Sequence, residues 1–108
     1  MLMRFAFVAA IFVGLISAPV MAQAPADGLA AYQALANRDW DLAVFYATRA
    51  IEAGTLPPGD LAAVLAYRAD ALRKKGDFAA AVEDYDAGLD IGYPTAFRVR
   101  VLNNRGIA

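Results

Sequence analysis

An internal repeat constrains this sequence more than any other feature. Asp39 and Asp77 lie 38 positions apart, and each is followed by apolar residues at helical spacing. The matching positions pair Trp40 with Phe78, Ala43 with Ala81, Val44 with Val82, Ala47 with Tyr85, and Ile51 with Leu89. Each copy therefore predicts an amphipathic helix whose apolar stripe, including Trp40, Phe78 and Tyr85, packs into a protein core.

Residues with strong turn preferences predict where the helices begin and end. Glycines such as Gly54 and Gly76 favour the left-handed position just after a helix, and an aspartate such as Asp77 favours an N-cap. Residues 55–59 contain two consecutive prolines, which cannot continue a helix. These signals predict an all-α chain with helices over about 28–36, 40–53, 61–75 and 78–90, capped at Asp27, Asp39, Asp60 and Asp77.

The last segment carries two conflicting patterns. Residues 97–101 alternate apolar and basic side chains, as a short strand does. A single strand without a partner is not stable, and the sequence offers no second strand. A helix from Thr95 to about Arg105 is therefore expected.

The first 22 residues have the layout of a secretory signal peptide. Arg4 gives a positively charged start, residues 5–16 form an apolar run, and small residues follow. Cleavage is predicted after Ala22, with Ala24 as the alternative. This predicts a periplasmic or secreted protein of a bacterial envelope. An uncleaved inner-membrane anchor is the alternative, although the run is shorter than the roughly 20 residues that span a bilayer. Membrane contact is expected only through this segment, if it stays uncleaved.

Composition argues against several function classes. The chain has no histidine and no cysteine, and its only serine is Ser17, inside the predicted signal. The usual general bases, metal ligands and nucleophiles are therefore missing, which predicts a non-catalytic protein without metal or other cofactor. The formal net charge is −1, and no clustered basic face favours nucleic-acid binding.

Four carboxylates in the second copy suggest a metal site at first sight. They are Glu83, Asp84, Asp86 and Asp90. A calcium site collects its ligands from a turning loop, whereas these residues fall in the middle of a predicted helix, away from its apolar stripe. A solvated charged face is the preferred interpretation.

Residues 62–94 resemble a tetratricopeptide repeat. The resemblance rests on Ala69, Leu72, the turn Gly76-Asp77-Phe78, Ala81, Tyr85, the pair Gly88-Leu89, and Pro94. Residues 27–53 look like a weaker copy, in which Arg38 replaces the turn glycine. Residues 102–108 look like the first helix of a third copy. A related helical-hairpin repeat such as the Sel1-like type is an alternative.

The resemblance implies hairpins stacked into a short α-solenoid, with units at 27–54 and 60–93 and a third first helix or capping helix at 94–108. In such stacks the first helices line a groove that binds a peptide or a partner protein. Carried over to this sequence, the groove residues are Tyr32, Ala63, Ala66, Tyr67, Asp70, Arg73, Lys74, Arg100 and Asn103. The alternative is an N-terminal structural fragment of a larger repeat protein, without a ligand of its own.

Overall fold

The computed structural model describes residues 23–107, with side chains described as far as Gly106. The predicted signal peptide at 1–22 lies outside these residues. The described part is all-α, as predicted, and contains no strand. Its helices are α1 (residues 23–36), α2 (Trp40–Ala53), α3 (Pro58–Lys75), α4 (Phe78–Ile91) and α5 (Thr95–Ile107). No helix in this range is long and apolar enough to cross a membrane.

The repeated Asp signal acts as predicted at the two matching turns, and so does the glycine of the second copy. Asp39 accepts a hydrogen bond from the backbone N–H of Leu42 at 3.3 Å, and Asp77 caps α4 in the same way. Gly76 ends α3 in the left-handed conformation, with φ 88°. Arg38, which replaces the glycine in the first copy, also has positive φ (61°). The backbone therefore has positive φ at this turn position in both copies, although the first copy has Arg38 instead of glycine there.

Two predicted N-caps are wrong. α1 already covers residue 23, so Asp27 lies inside the helix, where it is buried and forms an ion pair with Arg49 of α2. α3 begins at Pro58 with Pro57 at its N-cap, which places Asp60 in the first turn. The two prolines explain the earlier start, because the fixed φ of proline suits the first helical position.

Alanines bring neighbouring helices close together. Ala31 and Ala34 of α1 pack in two clusters with Ala47 and Ala43 of α2, and all four are buried. A third cluster joins α3, α4 and α5 through buried residues that include Ala69, Ala81, Tyr85 and Val101. α2 packs against α3, α3 against α4, and α4 against α5. This packing is consistent with stacked helical hairpins.

The apolar stripe of α4 is only partly buried. Tyr85 is fully buried, as predicted, but Phe78 is 50% exposed, so its assignment to the core is wrong. Phe78 is the first residue of α4, directly after the turn, and it is not among the described residues that pack against the cluster of α3, α4 and α5. Among the acidic residues, Asp84 is also misassigned: it is buried instead of lying on a solvated face.

The last segment is helical, as expected. The alternating pattern at 97–101 does not correspond to a strand. Val101 is buried against α3 and α4, and Phe97 packs beside it four residues earlier. Val99, the one apolar residue between them, is 62% exposed. The alternation therefore arises from a helix that buries only one narrow stripe.

Candidate partner-binding groove

An open groove of about 340 Å³ lies between α1 and α3. Its walls are mainly apolar, with two tyrosines and one carboxylate. The lining residues are Pro25, Gly28, Leu29, Tyr32, Leu56, Asp60, Ala63, Val64 and Tyr67. We call this surface the tyrosine groove.

Close contact between α1 and α3 forms the floor of the tyrosine groove. A Cβ atom placed on Gly28 would lie 3.1 Å from Cγ2 of Val64, so glycine lets the two helices meet at this point. Tyr32 and Tyr67 pack against each other one turn further along, with ring centroids 5.5 Å apart and planes tilted by 56°. Tilted pairs of this kind are the favoured packing of aromatic rings.

The two tyrosines differ in exposure and environment. Tyr32 is 51% exposed, whereas Tyr67 is half-buried. Burial raises the pKa of the Tyr67 hydroxyl, Tyr32 raises it further, and Arg100 partly opposes them. A tyrosine is protonated at neutral pH even at its ordinary pKa of 10.0, so the Tyr67 hydroxyl offers a neutral hydrogen-bonding group.

Arg100 extends this face from α3 to α5. Its guanidinium carbon lies 4.8 Å from the ring centroid of Phe97, a cation–π contact within the same helix. Its Nη2 lies 3.9 Å from Oδ2 of Asp70 on α3. The arginine side chain is still 55% exposed, so it remains accessible to a ligand.

The predicted groove residues fall into separate environments. Tyr32, Ala63 and Tyr67 line the tyrosine groove, and Arg100 contacts α3 one turn after Tyr67, at Asp70. The remaining five lie outside the lining. Arg73 is half-buried, Lys74 and Asn103 are exposed, and Ala66 and Asp70 are buried.

Ala66 and Asp70 were expected to face a partner, and this placement is wrong. Ala66 belongs to the core cluster with Tyr85 and Val101. Asp70 accepts hydrogen bonds from the Tyr85 hydroxyl and, at 3.1 Å, from Nδ2 of Asn104. These contacts join α3 to α4 and α5. Asp70 therefore holds the hairpin and the last helix together beneath the surface.

Sequence reasoning missed part of the tyrosine groove. Leu29 was available as an apolar residue on the same helix as Tyr32, three positions earlier. Leu56 was assigned to a linker and Asp60 to an N-cap. Neither was recognised as a groove residue, because no pattern in the sequence shows which segments pack beside α1. Among residues 23–107, no group of acidic side chains is arranged to hold a metal ion.

Comparison with known proteins does not identify this chain. No family model, curated protein or solved structure matches it.

Proposed function

We propose that this chain is a non-catalytic interaction module of the bacterial cell envelope, built as a short tetratricopeptide-like stack. It binds an extended peptide or a segment of a partner protein across α1, α3 and α5. The export signal predicted at residues 1–22 delivers it to the periplasm.

The observation that carries this proposal is the continuity of one face across three helices. Tyr32 of α1 contacts Tyr67 of α3, and Arg100 of α5 reaches α3 one turn further along, at Asp70. In the resembling family, this is the series of first helices that forms the concave side of the stack. Exposed tyrosine and arginine side chains are also the residue types most enriched at binding hot spots.

Capture from the native envelope tests the proposal. The tagged protein is compared with Tyr32→Ala and with Phe45→Ala, a matched control because both aromatic side chains are 51% exposed. Phe45 lies on α2, outside the tyrosine groove. Tyr32→Ala is expected to lose specific partners that Phe45→Ala keeps. Partners that survive both substitutions equally contradict the proposal.

A second candidate is a purely structural role in a larger stack. It is favoured by α5, where Val99 and Leu102 are exposed on the described surface. Such a surface suits packing against a further helix. In that case Val99→Asp disrupts assembly while Tyr32→Ala does not, and the capture experiment returns no groove-dependent partner.

A further inference from the structure

We propose that the tyrosine groove accepts a basic side chain, lysine or arginine, from the bound partner. This inference rests on the proposed function and adds the chemistry of the segment that is recognised. It follows from three features of the groove: Asp60 is the only charged residue among the described residues that line it, two tyrosines share the lining, and the other described lining residues are apolar or glycine.

Asp60 is available for a new ion pair. It is exposed, and within residues 23–107 no basic side chain lies within salt-bridge distance of it. The acids that hold the fold together differ in this respect. Asp84, for example, is paired with Arg68, and Asp27 with Arg49. A cation in the groove thus meets a carboxylate that has no competing partner nearby in the described structure.

The rest of the lining suits the uncharged parts of the same side chain. Lysine and arginine carry long methylene stems that pack on apolar surface while the charged end stays near water. Leu29, Leu56 and Ala63 offer such surface. The faces of tyrosine rings attract cations, and the exposed ring of Tyr32 adds this contact.

Arg100 limits how much positive charge the site takes. Its guanidinium lies against α3, with Nη2 3.9 Å from Oδ2 of Asp70, one turn after Tyr67, and would repel a second cation placed there. An acidic side chain in the groove would instead meet Asp60 as a like charge. The arrangement therefore favours one isolated basic residue over a polybasic run or an acidic segment.

A library of blocked peptides tests the inference on the purified full chain. One central position is fixed in turn as each amino acid, and the flanking positions are mixed. Peptides with central arginine or lysine are expected to bind several times more tightly than those with alanine. Citrulline, which keeps the shape of arginine without its charge, is expected to lose this advantage.

Two variants assign the preference to the groove. Asp60→Asn is expected to weaken binding of the arginine peptide about twofold to fivefold, the range of an exposed ion pair. Asp90→Asn, an exposed acid on α4, is expected to leave binding unchanged. Equal binding of arginine and citrulline peptides, or a preference for an acidic residue, overturns this inference and leaves the proposed function standing. Failure of every peptide to bind overturns both.

Discussion

Arg68 of α3 donates two parallel hydrogen bonds to the Asp84 carboxylate of α4, 2.6 Å from Nε to Oδ2 and 2.8 Å from Nη2 to Oδ1. Nη1 of the same guanidinium donates to the Thr48 hydroxyl of α2 at 3.3 Å. One arginine therefore joins helices of both hairpins. The hydrogen bond to Asp84 also raises the pKa of Arg68, which stabilises the charged guanidinium.

Breaking the pair from one side is expected to destabilise the fold strongly. Asp84→Ala leaves the partly buried Arg68 without its carboxylate, so the free energy of unfolding should fall by about 2–4 kcal/mol. Asp90→Ala removes an exposed acid from the same helix and should change it by less than about 0.5 kcal/mol. Urea unfolding of the two variants measures both changes in the free energy of unfolding. Similar losses for the two variants would contradict the structural role given to Asp84.

Gly88 is expected to be intolerant of any side chain. A Cβ atom at this position would lie 1.8 Å from the Tyr93 hydroxyl oxygen, which donates a hydrogen bond to the Ala62 carbonyl at 2.9 Å. Gly88→Ala should therefore cost about 1–3 kcal/mol, the usual penalty for overpacking.

Gly106 provides the control for Gly88, because it is also helical and a Cβ atom added to it would meet no described atom within 4 Å. Gly106→Ala should raise stability by up to about 1 kcal/mol, since alanine favours helix. Thermal unfolding of the two variants measures these opposite changes in stability. A stable Gly88→Ala protein would show that Tyr93 does not pack where described.

The Tyr85 hydroxyl is expected to matter for the docking of α5. Tyr85→Phe removes one hydrogen bond from the buried Asp70 carboxylate, which also holds Asn104 of α5. The expected loss is about 1–3 kcal/mol, the cost of an incompletely satisfied buried group. Tyr46→Phe, whose hydroxyl makes no hydrogen bond to the described protein, should have little effect. Hydrogen exchange should show faster exchange in α5 for Tyr85→Phe alone.

The fold is expected to weaken in alkali. Burial, helped by Asp70 and Asp84, raises the pKa of Tyr93 to about 12, against 10.0 for an exposed tyrosine. A raised tyrosine pKa favours the folded state below pH 10, and this stabilisation is lost as the pH rises from 10 towards 12. The pKa difference bounds the loss at about 2.7 kcal/mol.

Unfolding curves recorded across pH 8–12 measure this effect. Tyr93→Phe should be less stable at neutral pH but should lose less on going from pH 10 to pH 12. Tyr85 and Tyr67, whose pKa values burial also raises, still titrate in that variant and contribute to the remaining slope. Identical slopes for Tyr93→Phe and the unsubstituted protein would contradict the burial of Tyr93.

Local signals predicted most of the helical framework. Asp39, Asp77 and Gly76 act through their own backbone neighbours, so their roles are visible in a short stretch of sequence. Phe78 and Asp84 were misplaced because burial depends on which helix lies opposite, and spacing along one helix does not encode that.

The same limit explains the partial prediction of the groove. Tyr32 and Tyr67 were found from helix position and the family resemblance. Asp70 was assigned to the same face, but its partners Tyr85 and Asn104 come from other helices and bury it. Asp60 was missed because its place in the groove depends on how the first turn of α3 packs beside α1.

Photo-crosslinking in the native cell tests the central claim most directly. A photoreactive benzoylphenylalanine replaces Tyr32, Tyr67 or the control Phe45, and adducts are compared by mass after irradiation. The interaction-module account predicts the same partner adduct from Tyr32 and Tyr67 and its absence from Phe45. No adduct from either tyrosine position, or the same adduct from Phe45, would contradict it.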